Sequence, residues 1–74
     1  MSEILIEALN TVTIDAKIDG ESKKISLQGD QVHTIRAKKV TLNISDAGAV
    51  NITVNGSDRG VPGDLGKPKR IELP

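Results

Sequence analysis

Cysteine and all three aromatic residue types are missing from this 74-residue chain, which also holds only three prolines and a single histidine. Without cysteine no disulfide can brace the fold, and the His/Cys clusters that hold zinc cannot form. Without Phe, Tyr or Trp there is no platform on which a base or a sugar ring could stack, so recognition of single-stranded nucleic acid is excluded from the leading roles. Charge of one sign is missing too: ten Lys and Arg balance ten Asp and Glu, leaving no global field to gather a polyanion. The longest apolar run, Ile4-Leu5-Ile6, falls far short of the roughly 20 residues that span a bilayer, so no membrane insertion by this segment is expected.

What remains is a core of Ile, Leu, Val and Ala, drawn from the 36% of residues that are hydrophobic. These side chains bury less area than aromatics, which favours a thin packing of two sheets. A length of 74 residues accommodates one such core, so residues 1–74 are read as a single domain. A domain of this size gains only about 3–5 kcal/mol from its core.

Period-two alternation dominates. Val12, Ile14, Ala16 and Ile18 alternate with Thr11, Thr13, Asp15 and Lys17, which describes a strand with one wet face. The pattern returns at Ile25 and Leu27, at Val40, Leu42 and Ile44, and at Val50, Ile52 and Val54. Glu3 to Leu9, Gln31 to Ala37 and Lys69 to Leu73 complete a set of seven strands. Asp19-Gly20, Gly29-Asp30, Asp46-Ala47-Gly48 and Asn55-Gly56 separate them with residues that tolerate positive φ or cap a bend. No stretch keeps apolar residues at helical spacing, and the β-branched content opposes a helix. The expected architecture is all-β: a small immunoglobulin-like sandwich of about seven antiparallel strands, with a small barrel as its rival. Gly60 to Pro68, with three glycines and two prolines, breaks the alternation and is expected to be a surface loop.

Tests for chemistry fail on spacing or on residue type. Five residues separate Gly60 from Gly66 and Pro68 follows Lys67, whereas a P-loop needs four residues between its glycines, a Ser or Thr after the lysine, and a following helix. His33 is the only imidazole, and neither a nucleophile signature nor a ligand cluster accompanies it, so a surface or half-buried strand histidine is the simpler reading. Asp15, Asp19, Glu21 and Asp30 lack calcium-loop spacing. Lys23-Lys24, Lys38-Lys39 and Lys67, Lys69, Arg70 read as solvated strand edges that discourage aggregation. The sequons at Asn43, Asn51 and Asn55 arise naturally where Asn, Ser and Thr line a wet strand face. No catalytic residue, metal ligand or cofactor is assigned.

The Asp19-Gly20 turn, the hairpin at Ser26-Leu27-Gln28-Gly29, the run from Leu42 to Val50 and Val54-Asn55-Gly56 with its following glycine loop carry a resemblance to a known family. From Ile25 to Leu73, and more loosely from Ile4 onward, the chain resembles the C-terminal domain of the bacterial RodZ cell-shape family. The strand order, the turn, the Asn-Gly strand end and the closing strand match. Asn10-Thr11-Val12 stands where that family usually has a Ser-Trp-Val-like segment, and Ser45-Asp46 where Gly-Asn is more usual. The family-motif residues are Gly29, Asp46, Ala47, Gly48, Ala49, Val50, Asn55 and Gly56, mainly structural in role.

The resemblance implies a domain excised from a larger membrane-anchored protein. Its expected role is as a non-catalytic interaction or structural module, on the periplasmic side of the inner membrane, for a cytoskeleton-linked cell-shape protein. Implied partners are periplasmic proteins or the cell wall, with the anchor upstream. The competing expectation is a small ligand-binding or enzymatic domain that joins the Gly60 to Gly66 loop with His33.

Overall fold

A computed structural model describes residues 1–74. Eight strands and no helix make up the chain: β1 (Ser2–Ala8), β2 (Val12–Ile18), β3 (Glu21–Leu27), β4 (Val32–Ala37), β5 (Val40–Ile44), β6 (Val50–Val54), β7 (Ser57–Gly60) and β8 (Lys69–Leu73). They form two four-stranded antiparallel sheets, ordered β4-β1-β6-β7 (sheet A) and β3-β2-β5-β8 (sheet B), packed as a sandwich. The smallest extent of the molecule is 18 Å, as an aliphatic core one side chain deep from each sheet requires.

The alternation read from the sequence is the inner face of each sheet. Ile4, Ile6, Ala8, Ile35, Ala37, Val50, Ile52 and Val54 point inward from sheet A, and Val12, Ile14, Ala16, Ile25, Leu27, Val40, Leu42 and Ile44 from sheet B. Every buried residue is hydrophobic, so no polar group needs a partner inside. Both faces of β1 carry apolar residues because Leu5 lies half-buried on the outer face, between Thr34 and Thr53.

Two hairpins close with two-residue turns in which both central residues have positive φ. These are Asp19 (47°) with Gly20 (91°), and Asn55 (51°) with Gly56 (79°). Mirror-image turns of this kind match the twist of the flanking strands. Asn55 also fixes the β6-β7 hairpin onto β1, since its Oδ1 accepts the Glu3 amide at 2.8 Å and its own amide donates to the Glu3 carbonyl. Across the molecule, Asp19 accepts the Lys38 and Lys39 amides and thereby ties the β2-β3 hairpin to the β4-β5 connection.

The structure adds an eighth strand to the seven read from alternation. β7 has no apolar residue to reveal it and is held by pairing with β6 across a bulge at Ile52/Thr53. Gly60 is its last residue, so the loop to β8 begins at Val61. β1 ends at Ala8, leaving Leu9 outside the strand, and β3 starts directly after its turn at Glu21.

The turns at Asp46-Ala47-Gly48 and Gly29-Asp30 form by the means expected of them: Asp46 caps its bend by accepting the Gly48 amide, with no positive φ among the three residues, and Asp30 takes the left-handed conformation (φ 71°). Gly48 is required for another reason: a Cβ there would lie 2.2 Å from the Leu65 backbone nitrogen.

Candidate functional site: the loop end of the sandwich

Ser2 pairs with Ala37 and Leu73 pairs with Val40, so both chain ends lie at one end of the sandwich, beside the Lys38-Lys39 connection. The opposite end gathers four connections: residues 9–11, 28–31, 45–49 and 61–68. Of the residues that carry the resemblance, Gly29, Asp46, Ala47, Gly48, Ala49 and Val50 belong to this loop end, while Asn55 and Gly56 form a turn at the end that carries the termini.

Asp46 organises the loop end. Its Oδ1 accepts the Gly48 amide at 3.1 Å within its own connection, and the Gly66 amide at 2.8 Å from the 61–68 loop. The Ala47 amide donates to the Lys67 carbonyl at 2.9 Å, and Lys69 Nζ donates to the Pro62 carbonyl at 2.7 Å. Ala47 and Ala49 are fully buried, and a Cβ on Gly63 would meet the Ala47 methyl at 2.8 Å. The loop therefore lies directly on the 45–49 connection, with small residues on both sides of the contact.

The Leu9 amide donates to the Ala49 carbonyl at 2.6 Å, and the Ala8 amide donates to the Gln31 carbonyl at 2.8 Å, which draws the two remaining connections into the same assembly. Apolar side chains project from this braced backbone. Leu65 is 72% exposed, Leu9 51% and Val61 46%, and together with Val32, at the nearby start of β4, they account for every large exposed hydrophobic residue except Met1. Exposed aliphatic side chains gathered on hydrogen-bonded loops are a feature of contact surfaces.

The outer strand faces are polar and differ in charge. On sheet B a shallow groove runs past Thr13, Asp15, Lys24, Asn43, Ser45 and Arg70. On sheet A, Glu3, Glu7 and Asp58 outnumber Arg36. Asp58 is held below its ordinary carboxylate value, first by the Gly60 backbone amide and then by the Asn51 side-chain amide. No group of three or more His, Asp and Glu side chains converges on a common point.

His33 and the glycine loop do not share a site. His33 lies on β4 at one edge of sheet A, and the loop leaves from β7 at the other, with β1 and β6 between them. At strand spacing this separation is about 14 Å. The imidazole is half-buried at the rim of the inner face, opposite Ile6, and its pKa is lowered first by desolvation and then by the nearby Lys23 ammonium. The shift thus has causes unrelated to the loop.

The residues from Asp46 to Val50, which carry the resemblance, lie beneath a surface that the sequence reading does not single out. The alternation extends the first strand to Leu9, and Val61 and Leu65 fall within the Gly60 to Pro68 loop. Their signal was present, since aliphatic residues within a Gly/Pro-rich segment have no core to enter. Comparison with known proteins finds no matching family model, no matching curated protein and no matching solved structure.

Proposed function

We propose that this chain is a non-catalytic interaction module, similar to the periplasmic domain of the RodZ cell-shape family, that meets its partner through the loop end of the sandwich. The observation that carries this reading is the exposure of Leu9, Val61 and Leu65 on a backbone braced by Asp46, at the end opposite the N-terminus. In a protein anchored upstream, that end points away from the membrane. The residues that carry the resemblance, Asp46 to Val50, build this platform, so the motif serves the surface by shaping it. An immunoglobulin-like description fits the two-sheet packing and loop-borne recognition.

An aliphatic contact surface suits a protein partner better than a glycan, which needs stacking aromatics for strong binding. The partner class under this proposal is a periplasmic protein of wall synthesis. The test is a titration of isotopically labelled domain with purified periplasmic domains of wall-synthesis enzymes and, separately, with soluble peptidoglycan fragments. Amide shifts at Leu9, Gly48 and Leu65 with a protein, lost in Leu9→Ser and Leu65→Ser, are expected. Shifts confined to the sheet B groove, or shifts with glycan fragments alone, would overturn the proposal.

A further inference from the structure

Sheets expose four edge strands here, and three are guarded. β3 carries Glu21, Lys23 and Lys24 among its seven residues. β8 carries Lys69, Arg70 and Glu72 and is flanked by Pro68 and Pro74. β7 is four residues long, is bulged at Arg59, and has Asp58 already engaged by the Gly60 amide. β4 is different. Its sequence Val-His-Thr-Ile-Arg-Ala has no proline, no bulge and one permanent charge, Arg36, which is paired with Glu3 at 3.0 Å.

The register with β1 is unbroken from Ser2↔Ala37 to Glu7↔Val32, and the Ala8 amide continues it to the Gln31 carbonyl. Antiparallel ladders alternate, so His33, Ile35 and Ala37 direct their amides and carbonyls to β1, while Val32, Thr34 and Arg36 direct theirs to the open edge. The side chains alternate in the same sense. His33 and Ile35 lie on the inner side, opposite Ile6 and Ile4, and Thr34 lies on the outer side opposite Leu5.

The rim beside this edge is cationic. Lys23 of β3 shares the inner parity of its sheet, opposite Ala16, and lies near enough to His33 to act on it electrostatically. No carboxylate is within ion-pair distance of Lys23, since the ion pairs are Arg36 with Glu3 and Arg70 with Glu72. A second copy added at β4 would bring the two Lys23 ammonium groups toward each other. An acidic strand would meet attraction instead.

We propose that β4 is a strand-addition site for an extended acidic segment of a partner protein, which hydrogen-bonds to Val32, Thr34 and Arg36 and sets a carboxylate beside His33 and Lys23. About five residues suffice to span the edge at strand rise. Inward-facing positions two apart would meet Ile35 with an apolar residue and the His33-Lys23 rim with the acid. Main-chain bonds supply the attachment and the alternate side chains supply the selection. This surface lies on the flank of the sandwich and is separate from the loop end.

The probe is a capped Thr-Val-Thr-Glu-Thr peptide, whose Val and Glu stand two apart on one face, with Thr-Val-Thr-Lys-Thr as its counterpart, titrated into labelled domain at millimolar concentration. Expected are shifts and slowed hydrogen exchange at the Val32, Thr34 and Arg36 amides with the Glu peptide, at least fivefold weaker binding of the Lys peptide, and loss of binding in Thr34→Pro. Val32→Pro, at the first residue of β4, provides the same block should Thr34→Pro disturb folding, and Lys23→Gln should lower affinity severalfold with the edge intact. Absence of shifts at these amides, equal binding of both peptides, or slowed exchange at the same amides in concentrated domain alone, which would assign the edge to a second copy, would each overturn the proposal.

Discussion

Replacing Gly48 by alanine tests whether the loop end is braced as described. A Cβ at this position would stand 2.2 Å from the Leu65 nitrogen, 2.5 Å from its Cα and 2.6 Å from the Asp64 carbonyl carbon, all of them backbone atoms. The 61–68 loop must retreat by about 1 Å, and overpacking of this kind costs roughly 1–3 kcal/mol. Retreat also strains the Gly66 bond to Asp46 and the Ala47 bond to Lys67, each contributing about 1 kcal/mol. The combined loss, about 3–5 kcal/mol, is comparable with the roughly 3–5 kcal/mol a core of this size provides.

Gly20→Ala is the control. Its φ of 91° disfavours a side chain, yet nothing lies within 4 Å of the added Cβ, so the cost is confined to about 1–2 kcal/mol of backbone strain. Urea unfolding followed by far-UV circular dichroism reads both variants, since the chain has no aromatic residue to report by fluorescence. A Gly48→Ala variant that loses no more stability than Gly20→Ala would refute the close contact between the loop and the 45–49 connection.

Further outcomes follow from the same geometry. Asp46→Ala removes an ionised acceptor from two amides and should cost about 2–3 kcal/mol with faster hydrogen exchange at Gly66, while Asp46→Asn, which keeps an acceptor oxygen, should cost less. Ile52→Ala, at a residue 2% exposed, should cost about 2–5 kcal/mol against a small loss for Thr53→Ala, and equal urea midpoints would mean the strand faces are reversed. The His33 pKa is lowered below its ordinary 6.5, by desolvation and then by Lys23, so the unfolded chain binds the proton more readily than the folded one. Stability should therefore be full above pH 6.5, fall as pH drops from there through the lowered folded value, and level off below it; His33→Gln should flatten that dependence in a pH series of unfolding midpoints.

Most of the architecture was legible because one physical rule generates it. In a sheet with one dry face, every second residue must be apolar, and β2, β5 and β6 obey this without exception. β7 was not legible, because its four residues bury nothing and its place depends on β6. Gly48 shows a subtler gap: its identity suggests a flexible turn, whereas the demand comes from Leu65, seventeen residues away in sequence. The loop-end surface was hidden for the same reason, since the Asp46 bond to Gly66 spans twenty residues. The unguarded edge at β4 depends on which strand has one neighbour and which has two, and only the topology supplies that.

The pairing of β1 also bears on how the domain would carry load. Tension entering at Ser2 acts on a strand laced on both flanks, to β4 and to β6, and must shear two ladders together. Tension entering at Leu73 acts on β8, which is bonded to β5 alone. The molecule is thus mechanically polar, stiff when held by its first strand and open to peeling from its last.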